Sequence, residues 1–90
     1  KPYNAHVDVY VETLPGGMYE EIGIVSATGT EWNAEMTDVV STLKRQARKL
    51  GADAIILTDS WYTEELDVDY DGTEHIHEKL HANGIAIKYL

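Results

Sequence analysis

The chain has no cysteine and no phenylalanine, only two prolines, and only seven basic residues against sixteen acidic ones among its 90 residues. Each shortage excludes something. Without cysteine there is no disulfide, no thiolate nucleophile and no thiolate metal site, and the redox compartment is left unspecified. Without phenylalanine the core falls to Val, Ile, Leu, Tyr and Trp. A net charge of −9 disfavours nucleic acid and anionic membrane surfaces, because both repel such a chain. No apolar run within these residues is long enough to span a bilayer, none reads as a secretory signal, and the sequence opens at Lys1-Pro2. That opening reads as a segment of something longer, with any targeting sequence outside it.

What is present fits one domain, residues 1–90, with an ordinary apolar fraction of 43%. Val7, Val9 and Val11 alternate with polar residues over 6–12, as in a half-buried strand. "LPGG" makes a turn. A second strand covers 19–27, with Ile22 and Ile24 on one face and Gly23 marking a bulge or a close backbone approach. A helix over about 31–50 follows. Thr30 or Asn33 caps it, with Glu31, Glu35 and Asp38 at its positive end. Met36, Val39, Val40, Leu43, Ala47 and Leu50 form its apolar stripe. Lys44, Arg45, Arg48 and Lys49 crowd its last turns, and Gly51 stops it in a left-handed cap. The continuous apolar run Ala54–Leu57 predicts a central strand over 53–60, and 84–89 supplies the last strand. The class is α+β in the order β-β-α-β-β: one amphipathic helix on a small mixed sheet, with a projecting acidic hairpin between the last two strands. The expected core is Val9, Val11, Ile22, Ile24, Val39, Val40, Leu43, Ala47, Ile55, Leu57, Ile85 and Ile87.

That hairpin is where chemistry is most nearly legible. "DVDYDGTEHIHE" (67–78) fits the calcium-loop pattern, and seven of the acids lie between Glu64 and Glu78. As a calcium loop, Asp67, Asp69 and Asp71 give side-chain oxygens, Gly72 the bend, Thr73 a carbonyl and Glu78 a bidentate carboxylate. His75 takes the position where a bridging water is common. The context argues against it. "SWYTEEL" and "KLHAN" are too short to flank the loop with helices, and Glu74 stands where an aliphatic residue is usual. As a hairpin, Asp71-Gly72 is a two-residue turn. Tyr70 then pairs with Thr73, Asp69 with Glu74 as a like-charge pair, and Val68 with His75. A weak cation site on its tip is compatible with that reading.

His75, His77 and His81 share one strand face, which suits zinc, copper or nickel. His75 and His81 are nevertheless about 20 Å apart on a strand, at ~3.3 Å per residue, so the three do not share one ion. Trp61 and Tyr62, just after the central strand, are either a cap on the core edge or anchors for a partner. No Gly-rich phosphate loop, G-x-S-x-G or H-E-x-x-H is present, so no catalytic residue is assigned and no cofactor is implied beyond weak calcium.

The runs "VYVETLPGGMYEEIGIVSATG", "LKRQARKLGADAIIL" and "GIAIKY" together resemble the RcsF-like outer-membrane lipoproteins of bacterial envelope-stress signalling and the broader YbjQ-like group, often labelled heavy-metal-binding. The likeness covers roughly residues 9–61 and 84–89 and rests mostly on structural positions. It implies the fold, a periplasmic or outer-membrane location through a lipid anchor outside this chain, another envelope protein as partner, and a non-enzymatic interaction or stress-sensing role. It does not imply a ligand. The lipoproteins carry disulfide-forming cysteines and this chain has none, so a redox role does not transfer. The alternative role is metal binding, through 67–78 or the histidines.

Overall fold

The computed structural model describes residues 6–30 and 36–90, without the side chain of Thr30. The expected helix start, with its caps at Thr30 and Asn33 and its acids Glu31 and Glu35, lies outside that set. The described elements are β1 (Asp8–Tyr10), β2 (Tyr19–Thr30), α1 (Met36–Leu50), β3 (Ala54–Val68) and β4 (Glu74–Tyr89). They make the α+β fold with one mixed sheet, in the order β1-β3-β4-β2. β1 runs parallel to β3, while β4 runs antiparallel to both β3 and β2.

The helix follows its sequence pattern. Val39, Leu43 and Ala47, spaced i, i+4 and i+8, are buried against the sheet. Val40 is only half-buried, and Met36 and Leu50 are exposed at the ends of the stripe. Arg48 and Lys49 occupy the last turn, where they favour the negative end of the helix dipole. The helix then stops at Gly51, φ +78°. The Gly51 amide donates to the Arg48 carbonyl (3.0 Å) and the Ala52 amide to the Ala47 carbonyl (3.0 Å). That bond pair is the Schellman cap, and it suits a glycine because the left-handed φ strains any side chain. Ala47 and Ala52 close it from the core side, both fully buried.

One core lies between α1 and the sheet: Val7, Val25, Ala27, Val39, Leu43, Ala47, Ile55, Leu80, Ala82 and Ala86, with Ile22 and Leu57 at its margin. A smaller cluster of Ala54, Ile56 and Ile87, flanked by Tyr10, Tyr19 and Ile85, sits apart from it. Several sequence expectations are corrected here. The register slips between Glu21 and Gly23, leaving Ile22 as an extra residue in β2. A bulge of this kind re-aims every following side chain. Val25 and Ala27 therefore turn inward, and Ile24 turns out to 80% exposure. Gly23 also gives the close approach: a Cβ there would sit 2.8 Å from Leu50 Cδ1. The first strand keeps only Asp8–Tyr10. Val11 is exposed, and the chain turns away at Glu12, φ 63°. Val9 and Ile85 are half-buried rather than central.

Candidate functional site

The largest departure from the expected layout is the length of the hairpin. Trp61 and Tyr62 do not follow the central strand; they lie within it, because β3 continues to Val68 and pairs with β4 over its whole length. β2 ends at Thr30, paired with Lys79, and β1 reaches only as far as Ile56. Beyond them β3 and β4 run on as a two-stranded arm in a molecule 57 Å long and 26 × 17 Å across.

The turn differs from the expected one. Asp69 and Thr73 close it: the Asp69 amide donates to the Thr73 carbonyl (2.8 Å) and the Gly72 amide to the Asp69 carbonyl (2.9 Å). Tyr70, Asp71 and Gly72 are the loop, and Gly72 takes φ +88°. This is the three-residue type with a left-handed glycine, not the two-residue turn. The Asp71 carboxylate accepts the Thr73 amide (2.9 Å), which holds its pKa below the usual Asp value. One extra loop residue moves the register by one. Val68 faces Glu74, Asp67 faces His75, Leu66 faces Ile76, Glu65 faces His77 and Glu64 faces Glu78. The expected Asp69–Glu74 repulsion is absent, and the like-charge pair is Glu64–Glu78 instead.

Strand alternation gives the arm two unlike faces. One continues the sheet face that α1 leaves open, and it is a ladder of polar cross-strand contacts. His75 Nε2 lies 2.7 Å from Asp69 Oδ2 and His77 Nε2 3.7 Å from Asp67 Oδ2. Lys79 pairs with Glu65, and that hydrogen bond and its charge pull the Glu65 pKa down. Nearer the body, His81 uses both ring nitrogens, Nε2 with Thr63 (2.7 Å) and Nδ1 with Thr28 (3.1 Å). Trp61 stacks on its ring with centroids 5.1 Å apart. At the far end of the same sheet face, Tyr89 donates to Asp8 (2.7 Å) and receives the Tyr10 hydroxyl (2.8 Å). Partial burial and these two neighbours hold the Tyr89 hydroxyl well above the usual phenol range.

The other face continues the side that α1 covers. There Tyr62, Leu66, Val68 and Ile76 stand 54–69% exposed, and Tyr70 at the tip is fully exposed. Between the Tyr62/Leu80 row and the Leu66/Ile76 row lies the Glu64/Glu78 row.

The structure therefore divides the calcium candidates between the faces. Asp67 and Asp69 are held by histidines, Asp71 by the turn, and Thr73 closes the loop. Glu78 points to the opposite face, across from Glu64. The histidines do share a face, with His75 and His77 ring centroids 6.3 Å apart. Among the described residues no three His, Asp or Glu side chains converge as a metal cluster. Of the aromatic candidates, Trp61 belongs to the ladder and Tyr62 to the apolar face. Leu66, Val68, Tyr70 and Ile76 were missed as surface residues. The available signal was the alternation Leu66, Val68, Tyr70 in a segment with no room for a covering helix.

No family model, curated protein or solved structure matches this chain.

Proposed function

We propose that this domain is a non-enzymatic interaction module of the bacterial cell envelope, the periplasmic part of a lipoprotein or stress sensor, and that its contact element is the β3–β4 arm. One observation carries the interaction role: the single chain leaves Tyr62, Leu66, Val68, Tyr70 and Ile76 exposed along one projecting element. Exposed apolar residues gathered on one surface mark contact sites, whereas scattered ones do not. Tyrosine at a projecting tip is also a common anchor. The envelope setting rests on the sequence resemblance alone.

The test is photo-crosslinking in cells from the full-length gene, with the reactive residue at Val68 or Tyr70 and a control at Lys49 on the helix. Arm positions should give discrete adducts to an envelope protein and the control should not. Equal labelling at all positions, or fractionation with the cytoplasm, refutes the proposal.

A further inference from the structure

We infer that the apolar face of the arm receives an amphipathic helix of a partner protein, one that carries an arginine or lysine inside its apolar stripe. This inference rests on the arm being the contact element.

Two observations specify the occupant. The first is continuity. The bare face of the arm is the same sheet face that α1 covers in the body. There α1 lays Val39, Leu43 and Ala47 onto Val25, Ala27, Ile55, Leu80 and Ala82. A second helix, supplied from outside, continues that layer along the arm. The second observation is charge. Glu64 and Glu78 are directly opposed on β3 and β4, and neither has an ion-pair or hydrogen-bond partner among the described residues. Opposed like charges are unfavourable on a sheet. They sit between two apolar rows, so a cation entering there is flanked by apolar contacts on both sides.

The spacing agrees. Successive rows on one strand face are two residues apart, about 7 Å. Positions i, i+4 and i+8 of a helix are spaced by about 6 Å. An apolar residue at i thus meets Tyr62, whose neighbour Leu80 is already buried under α1, a cation at i+4 meets Glu64 and Glu78, and an apolar residue at i+8 meets Leu66 and Ile76. A second copy of this chain fits poorly, because face-to-face arms would bring two Glu64–Glu78 pairs together.

The probe is a synthetic helix of about 18 residues, long enough to populate helix in water, with leucine at i and i+8, arginine at i+4 and neutral residues elsewhere. A twin carries glutamine at i+4. Binding is followed by amide chemical shifts of the labelled domain. The arginine peptide should move residues 62–68 and 74–80 and bind about three- to fivefold more tightly than its twin, the range of an exposed ion pair. The E64Q/E78Q variant should erase that advantage. It also removes a repulsion, so it folds at least as well. E65Q/D67N removes the same charge from the opposite face and should leave the advantage intact. Leu66→Ser should weaken both peptides about tenfold.

Equal affinity for both peptides, or an equal loss in E65Q/D67N, overturns the proposal in favour of unspecific attraction. A concentration-dependent dimer that Leu66→Ser abolishes overturns it in favour of a second copy. Failure of both peptides to bind overturns the helix-and-cation class. Arm crosslinks that persist in cells then leave the interaction role standing.

Discussion

The two ends of the β3–β4 hairpin are made from the same strands, the same pairing and the same sheet faces, yet they behave as different materials. In the body, Ala54, Ile55 and Ile56 are buried, as are Leu80, Ala82, Ala86 and Ile87. From Thr58 to Asp69 every residue of the outgoing strand is exposed. The difference is what lies on the strands. α1 and β2 cover the body; neither reaches the arm, which is left with its own cross-strand pairs. Two-stranded ribbons alone are marginal in water, and this one adds polar cross-strand contacts on one face: Asp69 with His75, Asp67 with His77, and the ion pair Glu65–Lys79. The body is thus held by a buried core and the arm by its cross-strand contacts alone.

The largest expected break in that comparison is Leu43→Ala, which opens a cavity in the shared core of α1 and the sheet. It should cost about 3 kcal/mol, lowering the melting temperature by ten degrees or more. Leu66→Ala, the same chemistry on the arm, should cost less than about 0.5 kcal/mol, because Leu66 is already largely in water. Similar losses at both sites would mean that the arm's apolar face is covered in solution.

Gly84→Ala comes next. The added Cβ would lie 2.6 Å from Ile55 Cγ2 and 3.1 Å from the Ile56 carbonyl. The methyl group is forced into packed core against backbone, which costs about 1–3 kcal/mol. Gly72→Ala meets no atom within 4 Å but must hold φ +88°, a strain of about 1–2 kcal/mol. That loss should appear as faster amide exchange at the arm tip, with the body unchanged. Transmission of the Gly72 effect to α1 amides would show that arm and body unfold as one unit.

How far the sequence reaches is visible in the same contrast. The stripe Val39, Leu43, Ala47 and the stop at Gly51 are periodic and local, and they read correctly. Gly23 signals its bulge, but not which side chains the slip turns inward, so Ile24 and Val25 exchange roles. The hairpin is legible as a hairpin from Asp71-Gly72. Its register is not, because the dipeptide serves a two-residue or a three-residue turn equally well, and one residue decides which acids oppose which histidines. The length of the arm is hidden for a different reason. Trp61 to Glu65 lack the apolar alternation by which strands are recognised, since neither face of an arm is buried.

A pH effect distinguishes the two ends more finely. The Tyr89 hydroxyl, bonded to Asp8 and Tyr10 at the body end, has its pKa raised above the ordinary 10.0. A group held above its unfolded value contributes stability that is fully present below that value. It is lost as pH rises past 10 toward the folded pKa. Melting temperature should therefore fall above pH 10, and Tyr89→Phe should flatten that fall. An unchanged slope in the variant would assign it to other groups.

The smallest effect is expected from calcium. A loop with a micromolar Kd in about 1 mM calcium would add about 4 kcal/mol of stability, well over ten degrees in a domain of this size. The arm does not assemble such a loop. Asp67 and Asp69 are paired with His77 and His75, the Asp71 carboxylate is spent on the Thr73 amide, and Glu78 faces away beside Glu64. Any cation held there binds through one or two exposed carboxylates, which is weak. Melting in calcium and in chelator at matched ionic strength should therefore differ by a few degrees at most. A shift above ten degrees that vanishes in Glu78→Gln would require Glu78 to reach the tip, and so a different strand register from the one that pairs Leu66 with Ile76.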